Sequence, residues 1–395
     1  MRIQPIIRYH APSRLRFRLW VQKTFVCFAY FAGKSYYKFM KRRDLLKSLA
    51  ALPFLYTMTF GKNSVTKNKI IKPKRLKAGD TVGLIAPAGY ADDAEFQRAV
   101  QNLEGLGFKV KLGKNVRQRY LYLGGTDQQR VEDIHWAFSD AEVKAVWCLR
   151  GGYGITRLLP DLNFNLIKRN PKICIGYSDI TALLVAIYQN TGLVTFHGPG
   201  GSSTYSDYTK NHVLNVLTNP SAPYKIELSE NNKAREDQAY KTQTITKGKA
   251  QGKLIGGNLT LLSVMNGTRF QLKDTKGKIL FIEDVNEPPY KVDRMLTQLR
   301  QAIDMRQLAG VACGIFTENN RRPAPTEAPQ TPQTNEPPET TTIDVIKDRL
   351  GDLGIPVIYG LSFGHIREQF TLPIGIEAEF DTEGARMTFL ESGVV

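Results

Sequence analysis

From about Arg75 onward, short apolar runs alternate with stretches whose apolar positions recur every three or four residues, and this alternation predicts a parallel β-sheet with helical crossovers. The runs Thr81–Ala86, Phe108–Leu112, Ala145–Leu149, Lys172–Ile175 and Leu193–Phe196 read as strands. The stretches Ala94–Leu106, Gln128–Ser139, Ile155–Leu159 and Ile180–Gln189 read as the helices between them. Four of the five strands run into Gly- or Pro-rich turns, at Ala86–Tyr90, Arg150–Gly154, Gly176–Asp179 and His197–Gly200. In an open parallel sheet such turns gather along one edge, where ligands bind.

The pattern divides the body into residues 76–205, a polar linker at 206–245 with one short helix near Asn211–Leu217, and a second domain at 246–395. In the second domain Lys278–Ile282 and Val311–Phe316 read as strands flanking a helix at Tyr290–Ile303. Order resumes at Ile343–Leu350, and strands follow near Val357–Tyr359 and Met387–Leu390. Between them Asn319–Thr342 is rich in Pro, Thr, Glu and Gln. Such a stretch buries too little apolar area to offset chain entropy and reads as a mobile surface loop.

Charge changes the picture at the front of the chain. The 395 residues carry 54 Lys and Arg against 37 Asp and Glu, a net charge of +17 that resembles a nucleic-acid binder. Residues 1–79, however, hold 19 of those bases and a single acid, Asp44, which leaves 35 bases against 36 acids on the body. A phosphate-binding cleft needs its excess on the folded part, so no nucleic-acid partner is expected.

Within the basic front end, residues 40–61 read Met40-Lys41-Arg42-Arg43-Asp44-Leu45-Leu46-Lys47 followed by a largely apolar run to Phe60. Paired arginines before a short apolar run form a twin-arginine export signal, with residues 62–75 as spacer; the run is shorter than the roughly 20 residues that span a bilayer. The expected location is therefore periplasmic or exported, with the membrane met only through the signal, and cytoplasmic as the alternative. A basic surface helix is the plainer reading of the same residues. Because such signals work at the amino terminus, residues 1–39 are expected to be a non-functional upstream extension, with translation starting at Met40. A peptide from residues 1–39 in the natural protein would overturn this. Cys27, Cys148, Cys174 and Cys313 show no metal or redox spacing.

Cofactor motifs are missing: the chain has no GxGxxG, no GxxxxGK[ST] and no HExxH, so neither cofactor nor metal is expected. Gly176-Tyr177-Ser178-Asp179 joins an apolar strand to an apolar helix, the setting of a nucleophile elbow, with the Asp179 N–H and a Gly152 N–H as the expected oxyanion donors. Helix capping by Ser178 or Asp179 explains the same residues. Of five histidines, His10 lies in the leader, His135 on a helix and His212 in the linker, leaving His197 and His365 as bases that spacing does not separate. Glu283 and Asp284 end an apolar strand, either facing a polar partner or solvated. Arg150 suits a substrate carboxylate or an acid across the sheet.

Taken together, Ile85–Gly89, Arg150–Gly154, Gly176–Asp179, Phe196–Pro199, Gly256–Leu259, Ile282–Glu287, Val292–Leu296 and Gly364-His365 resemble the LD-carboxypeptidase (muramoyltetrapeptide carboxypeptidase) family of serine peptidases. The resemblance implies a flavodoxin-like amino-terminal domain and a swivelling carboxyl-terminal β/α domain with the site between them, often in a homodimer. It implies Ser178 as nucleophile, Glu283 as orienting acid and His365 as base, and so decides against His197. The implied activity is removal of the terminal D-alanine from murein tetrapeptides. Alternatives on the same scaffold are an amidase of aminoacyl-nucleotide (microcin-type) substrates and a non-catalytic wall-peptide binder.

Overall fold

A computed structural model describes residues 69–317 and 340–395. The expected upstream extension, export signal, most of the spacer, and the surface stretch up to residue 339 lie outside the described residues. Strands β1 (Thr81–Ile85), β2 (Lys109–Leu112), β3 (Val143–Cys148), β4 (Ile173–Gly176) and β5 (Thr195–His197) alternate with helices, as the hydrophobic pattern requires. The helices Asp93–Gly105 and Asp127–Ser139 each begin at a capping box, Asp92 with Glu95 and Thr126 with Gln129, which fixes where they leave the preceding loops.

These five strands are parallel in the order β2-β1-β3-β4-β5. This is the flavodoxin-like winding, in which loops after β1 and β3 diverge and open a crevice at the carboxyl ends of the strands. The turn after β1 reaches the turn after β3 there, with Gly89 N–H donating to Gly151 O at 3.1 Å.

The second sheet is built from β6 (Tyr224–Ile226), β7 (Gln243–Thr246), β8 (Lys249–Asn258), β9 (Ile279–Glu283), β10 (Gly310–Cys313) and β11 (Val357–Tyr359). After β12 (Leu372–Ile374) the chain adds β13 (Glu377–Asp381) and β14 (Arg386–Phe389). Its order is β6-β14-β13-β8-β9-β10-β11-β7, with β8 to β11 parallel at the centre. The helix Thr181–Thr191 is buried along most of its length, because its apolar run Ala182–Ile187 has no polar face to give to water. Asn258 N–H, at the end of β8, donates to Thr181 Oγ1 at 3.0 Å and ties the central strand of the second sheet to the start of this helix.

Two expectations are corrected. Residues 206–245 are no simple linker: they form the helix Asp207–Thr218 and supply both edge strands of the second sheet, β6 and β7. Three- and four-residue edge strands with one face in water carry almost no periodicity. Nor does everything after residue 246 stay in the second body, since β12 crosses back to pair antiparallel with β5, Leu372 opposite His197. Pro373 hides this strand from pattern reading, and an edge position is where a sheet tolerates it. At the far end of the Pro-rich stretch, Thr341 and Asp344 form a capping box, so Thr342 already belongs to the helix Thr342–Leu350.

Candidate active site

Ser178 follows β4 directly and sits at φ 62°, a left-handed conformation that a residue with a side chain adopts at a cost of about 1–2 kcal/mol. The strain projects the side chain out of the strand-to-helix turn. Capping does not explain the turn: neither the short 3-10 turn Ser178–Ile180 nor the helix after it has a side-chain cap. The Asp179 carboxylate turns the other way and accepts from Ile155 N–H at 2.9 Å, so it fastens the elbow to the turn after β3. Asp179 is nearly fully buried, and burial pushes its carboxyl up despite that bond and the nearby Arg130 charge.

Around the serine the Gly-rich turn is packed backbone to side chain. A Cβ on Gly151 would lie 2.8 Å from Ser178 Cβ, and one on Gly152, at φ 125°, would lie 3.0 Å from the Gly89 backbone. Only glycine lets this turn approach the elbow so closely. Asp179 is the second residue of its 3-10 turn, so its N–H has no intrahelical partner and is free in principle to serve a ligand. Arg150 does meet an acid: its guanidinium donates to Glu95 at 2.9 Å and to Tyr90 O at 3.3 Å, with 39% of the side chain still exposed.

Sequence reading missed Arg130. Its guanidinium is fully buried and donates to Pro87 O at 2.8 Å and Gly154 O at 3.1 Å, holding the turns after β1 and β3 together. The signal was present, because Arg130 shares a helix face with the buried Ile134, Ala137 and Phe138, where a charge stands only if something polar receives it.

From the second sheet, β9 delivers Glu283, wholly buried, and His365 Nδ1 lies 2.7 Å from Glu283 Oε2. The solvated reading of these acids is therefore set aside. With the carboxylate ionised, Nδ1 is the donor and Nε2 carries the lone pair of the neutral ring. Burial would push the Glu283 carboxyl up, but the charge and hydrogen bond of His365, with His197 behind, hold it below its ordinary value. Burial likewise works against a charged His365, yet the Glu283 charge and hydrogen bond, with Asp284 adding to them, hold it above its ordinary value.

Asp284 is separately satisfied by Asn258 Nδ2, by the Thr260 N–H and hydroxyl and by Val285 N–H, all within 2.9 Å. Burial and the adjacent Glu283 push it up to about 6. Tyr177 packs its ring on that of His365 with centroids 4.8 Å apart, bringing the histidine's loop against the residue that precedes the serine. Among the described residues no hydrogen bond links Ser178 to His365; such bonds often tighten only around a substrate.

The structure thus gathers elbow, glycine turn and acid–imidazole pair along one edge, while His135 receives the Asn163 N–H and His212 meets the Tyr224 hydroxyl, both in structural roles. Among the described residues no group of three or more His, Cys, Asp or Glu side chains is placed to hold a metal ion.

A flavodoxin-like sheet that presents a half-buried, strained serine turn, faced by a second sheet bearing a buried carboxylate–imidazole pair, defines a two-body α/β protein with the parts of a hydrolase. Family models for the LD-carboxypeptidase N-terminal and C-terminal domains match residues 82–198 and 251–380. A probable murein peptide carboxypeptidase of Bacillus subtilis is 40% identical over 82% of this chain and 95% of its own length. The murein tetrapeptide carboxypeptidase of Pseudomonas aeruginosa is 39% identical over 61% of this chain and 78% of its own. A solved structure of MccF in complex with glutamyl sulfamoyl guanosine superposes with a TM-score of 0.71 at 26% identity, covering 82% of this chain and 99% of that one. The chain belongs to the LD-carboxypeptidase family.

Proposed function

We propose that this chain is a serine LD-carboxypeptidase that removes the terminal D-alanine from murein tetrapeptides. The observation that carries the reading is the buried 2.7 Å contact between Glu283 and His365, at the edge where Ser178 sits on a strained turn. His365 Nε2 takes the Ser178 proton as Oγ attacks the amide carbonyl, and the tetrahedral oxyanion rests on the Asp179 and Gly152 N–H groups. The imidazolium then passes its proton to the departing amine, which frees D-alanine and leaves an acyl-enzyme. Water, activated by the same imidazole, cleaves the ester and restores the serine. Glu283 keeps Nδ1 protonated and balances the imidazolium charge throughout. Arg150, held at the mouth of the glycine turn by Glu95, receives the substrate's free carboxylate in this reading. An exported enzyme of this kind would meet peptides on the wall or on released fragments.

The test is D-alanine release from a murein tetrapeptide by the purified protein, followed by mass spectrometry. Release is expected, with a loss of at least about 10³-fold in Ser178→Ala; no release, or release unchanged in that variant, overturns the proposal. The likeness to MccF favours one second reading, hydrolysis of an aminoacyl-nucleotide amide by the same residues. Running an aminoacyl sulfamoyl nucleoside beside the tetrapeptide separates the two.

A further inference from the structure

Glu283 has two oxygens and uses one. Oε2 receives His365, whereas Oε1 is buried with no partner at hydrogen-bond distance, the nearby Asn258 amide that also helps hold the charge being bonded at 2.9 Å to Asp284. Facing Oε1 at 3.9 Å is Nε2 of His197, a side chain as buried as the carboxylate, and neither of its ring nitrogens has a partner. A polar group left unpaired in the interior keeps its desolvation cost with nothing to offset it. Here a donor and an acceptor lie within an ångström of resolving both.

The surroundings set the orientation of the ring. Phe281 packs edge-on against it with centroids 5.4 Å apart, and Tyr177 does so at 6.4 Å. Neighbouring strands offer it only Gly176 of β4 and Leu372 of β12. The titratable groups that face it are Tyr177, Glu283 and His365. Tyr177 is kept neutral, since burial pushes its hydroxyl up, and Asp284 acts on His365 from beyond Glu283. Burial pushes His197 itself down to about 4, so near neutrality it is an uncharged imidazole with one N–H to give.

We propose that His197 is a positioning residue for the catalytic acid: its Nε2–H donates to Glu283 Oε1 in the working enzyme, so that one carboxylate is held between two imidazoles. The proposal rests on the triad reading above. His197 fixes the carboxylate plane that aims Oε2 at His365, and it draws charge density away from that oxygen. The sequence made His197 and His365 rival bases; the geometry gives them different tasks at the two oxygens of one acid.

The experiment compares wild type, His197→Phe and His197→Gln in the full chain. Phenylalanine keeps the ring and its packing but has no donor, whereas glutamine restores an N–H. With ¹³C-labelled histidine, the Cε1 resonance of His365, assigned by its loss in His365→Asn, gives the titration midpoint. In His197→Phe the full carboxylate charge falls on His365, and the midpoint is expected to rise by about one pH unit, tenfold in proton affinity. The acid limb of kcat/KM should move up with it. At neutral pH kcat falls about tenfold with KM unchanged, and His197→Gln recovers to within about twofold of wild type. A His365 midpoint that does not move in His197→Phe, or a glutamine variant no better than phenylalanine, overturns the assignment. If wild type releases no D-alanine the substrate reading fails, while the NMR titration still decides the role of His197.

Discussion

Glu283 closes an all-buried strand, and a carboxylate there is tolerable only because an imidazole receives it. Its charge is what holds His365 above its ordinary 6.5, so the free base that the proposed mechanism needs accumulates only as pH rises past that raised value. Glu283→Gln removes that charge and reverses the sign: burial is then opposed only by the weaker pull of Asp284, and the acid limb of the pH profile should move down, below 6.5. The rate should nevertheless fall by about 10³–10⁴-fold, because the amide no longer secures the right tautomer. A variant whose limb stays where wild type has it would show that the pair does not govern the base. At this scale the sharp turn at Ser178 was legible from its strand-turn-helix setting, while the role assigned to the serine came from the family resemblance. The choice between His197 and His365 was not, because it depends on where the loop after β11 travels, and residue spacing says nothing about that.

Among the elements, the turn after β3 is fitted to the elbow by the missing side chain of Gly151. Gly151→Ala would force Cβ to within 2.8 Å of Ser178 Cβ and displace the proposed nucleophile. A shift of that size is expected to cost about 10²-fold in kcat/KM while Tm falls only a few degrees. Gly105→Ala, whose Cβ would meet nothing within 4 Å, serves as the control with activity unchanged. An equal loss in both would dissociate the effect from the elbow.

Strands β1, β3, β4, β5, β9, β10 and β11 were readable because, almost wholly buried, they run as continuous apolar stretches punctuated by turns, whereas the Gly-rich and half-exposed β8 was not. The three-residue strands β6 and β12 were not, since neither is long enough to show a period and Pro373 argues against a strand. Their place is set by the sheet edges they complete. Arg130 was equally invisible as a functional part: its helix face marks it as buried, but only the fold reveals the two carbonyls it joins.

At the scale of the whole molecule, the net charge of +17 belongs to the leading residues, while the body from residue 80 is within one charge of neutrality. Its two sheets share the Asn258–Thr181 bond, and β12 is a strand of the first sheet supplied by chain that has already passed through the second. They are expected to unfold together. Trp147, fully buried in β3, and Trp136 report on the first sheet, whereas far-ultraviolet circular dichroism reports on both. The two probes should trace one coincident transition in urea, and separated midpoints would show independent bodies.

The late place of His365 in the chain also bears on when the site comes into being. His365 is carried on the segment between β11 and β12, and that segment is anchored at its far end beside β5, the strand that ends in His197. Ser178 is made early in synthesis, and the histidine's loop is held by chain made before it: Gly364 bridges to Ile315, Thr209 meets the backbone at Arg367 and Gln369, and Asn231 and Asn232 hold Glu368. A chain that stops short of residue 365 therefore carries Ser178 without the imidazole proposed as its base, and on that reading hydrolysis waits until the polypeptide is almost complete.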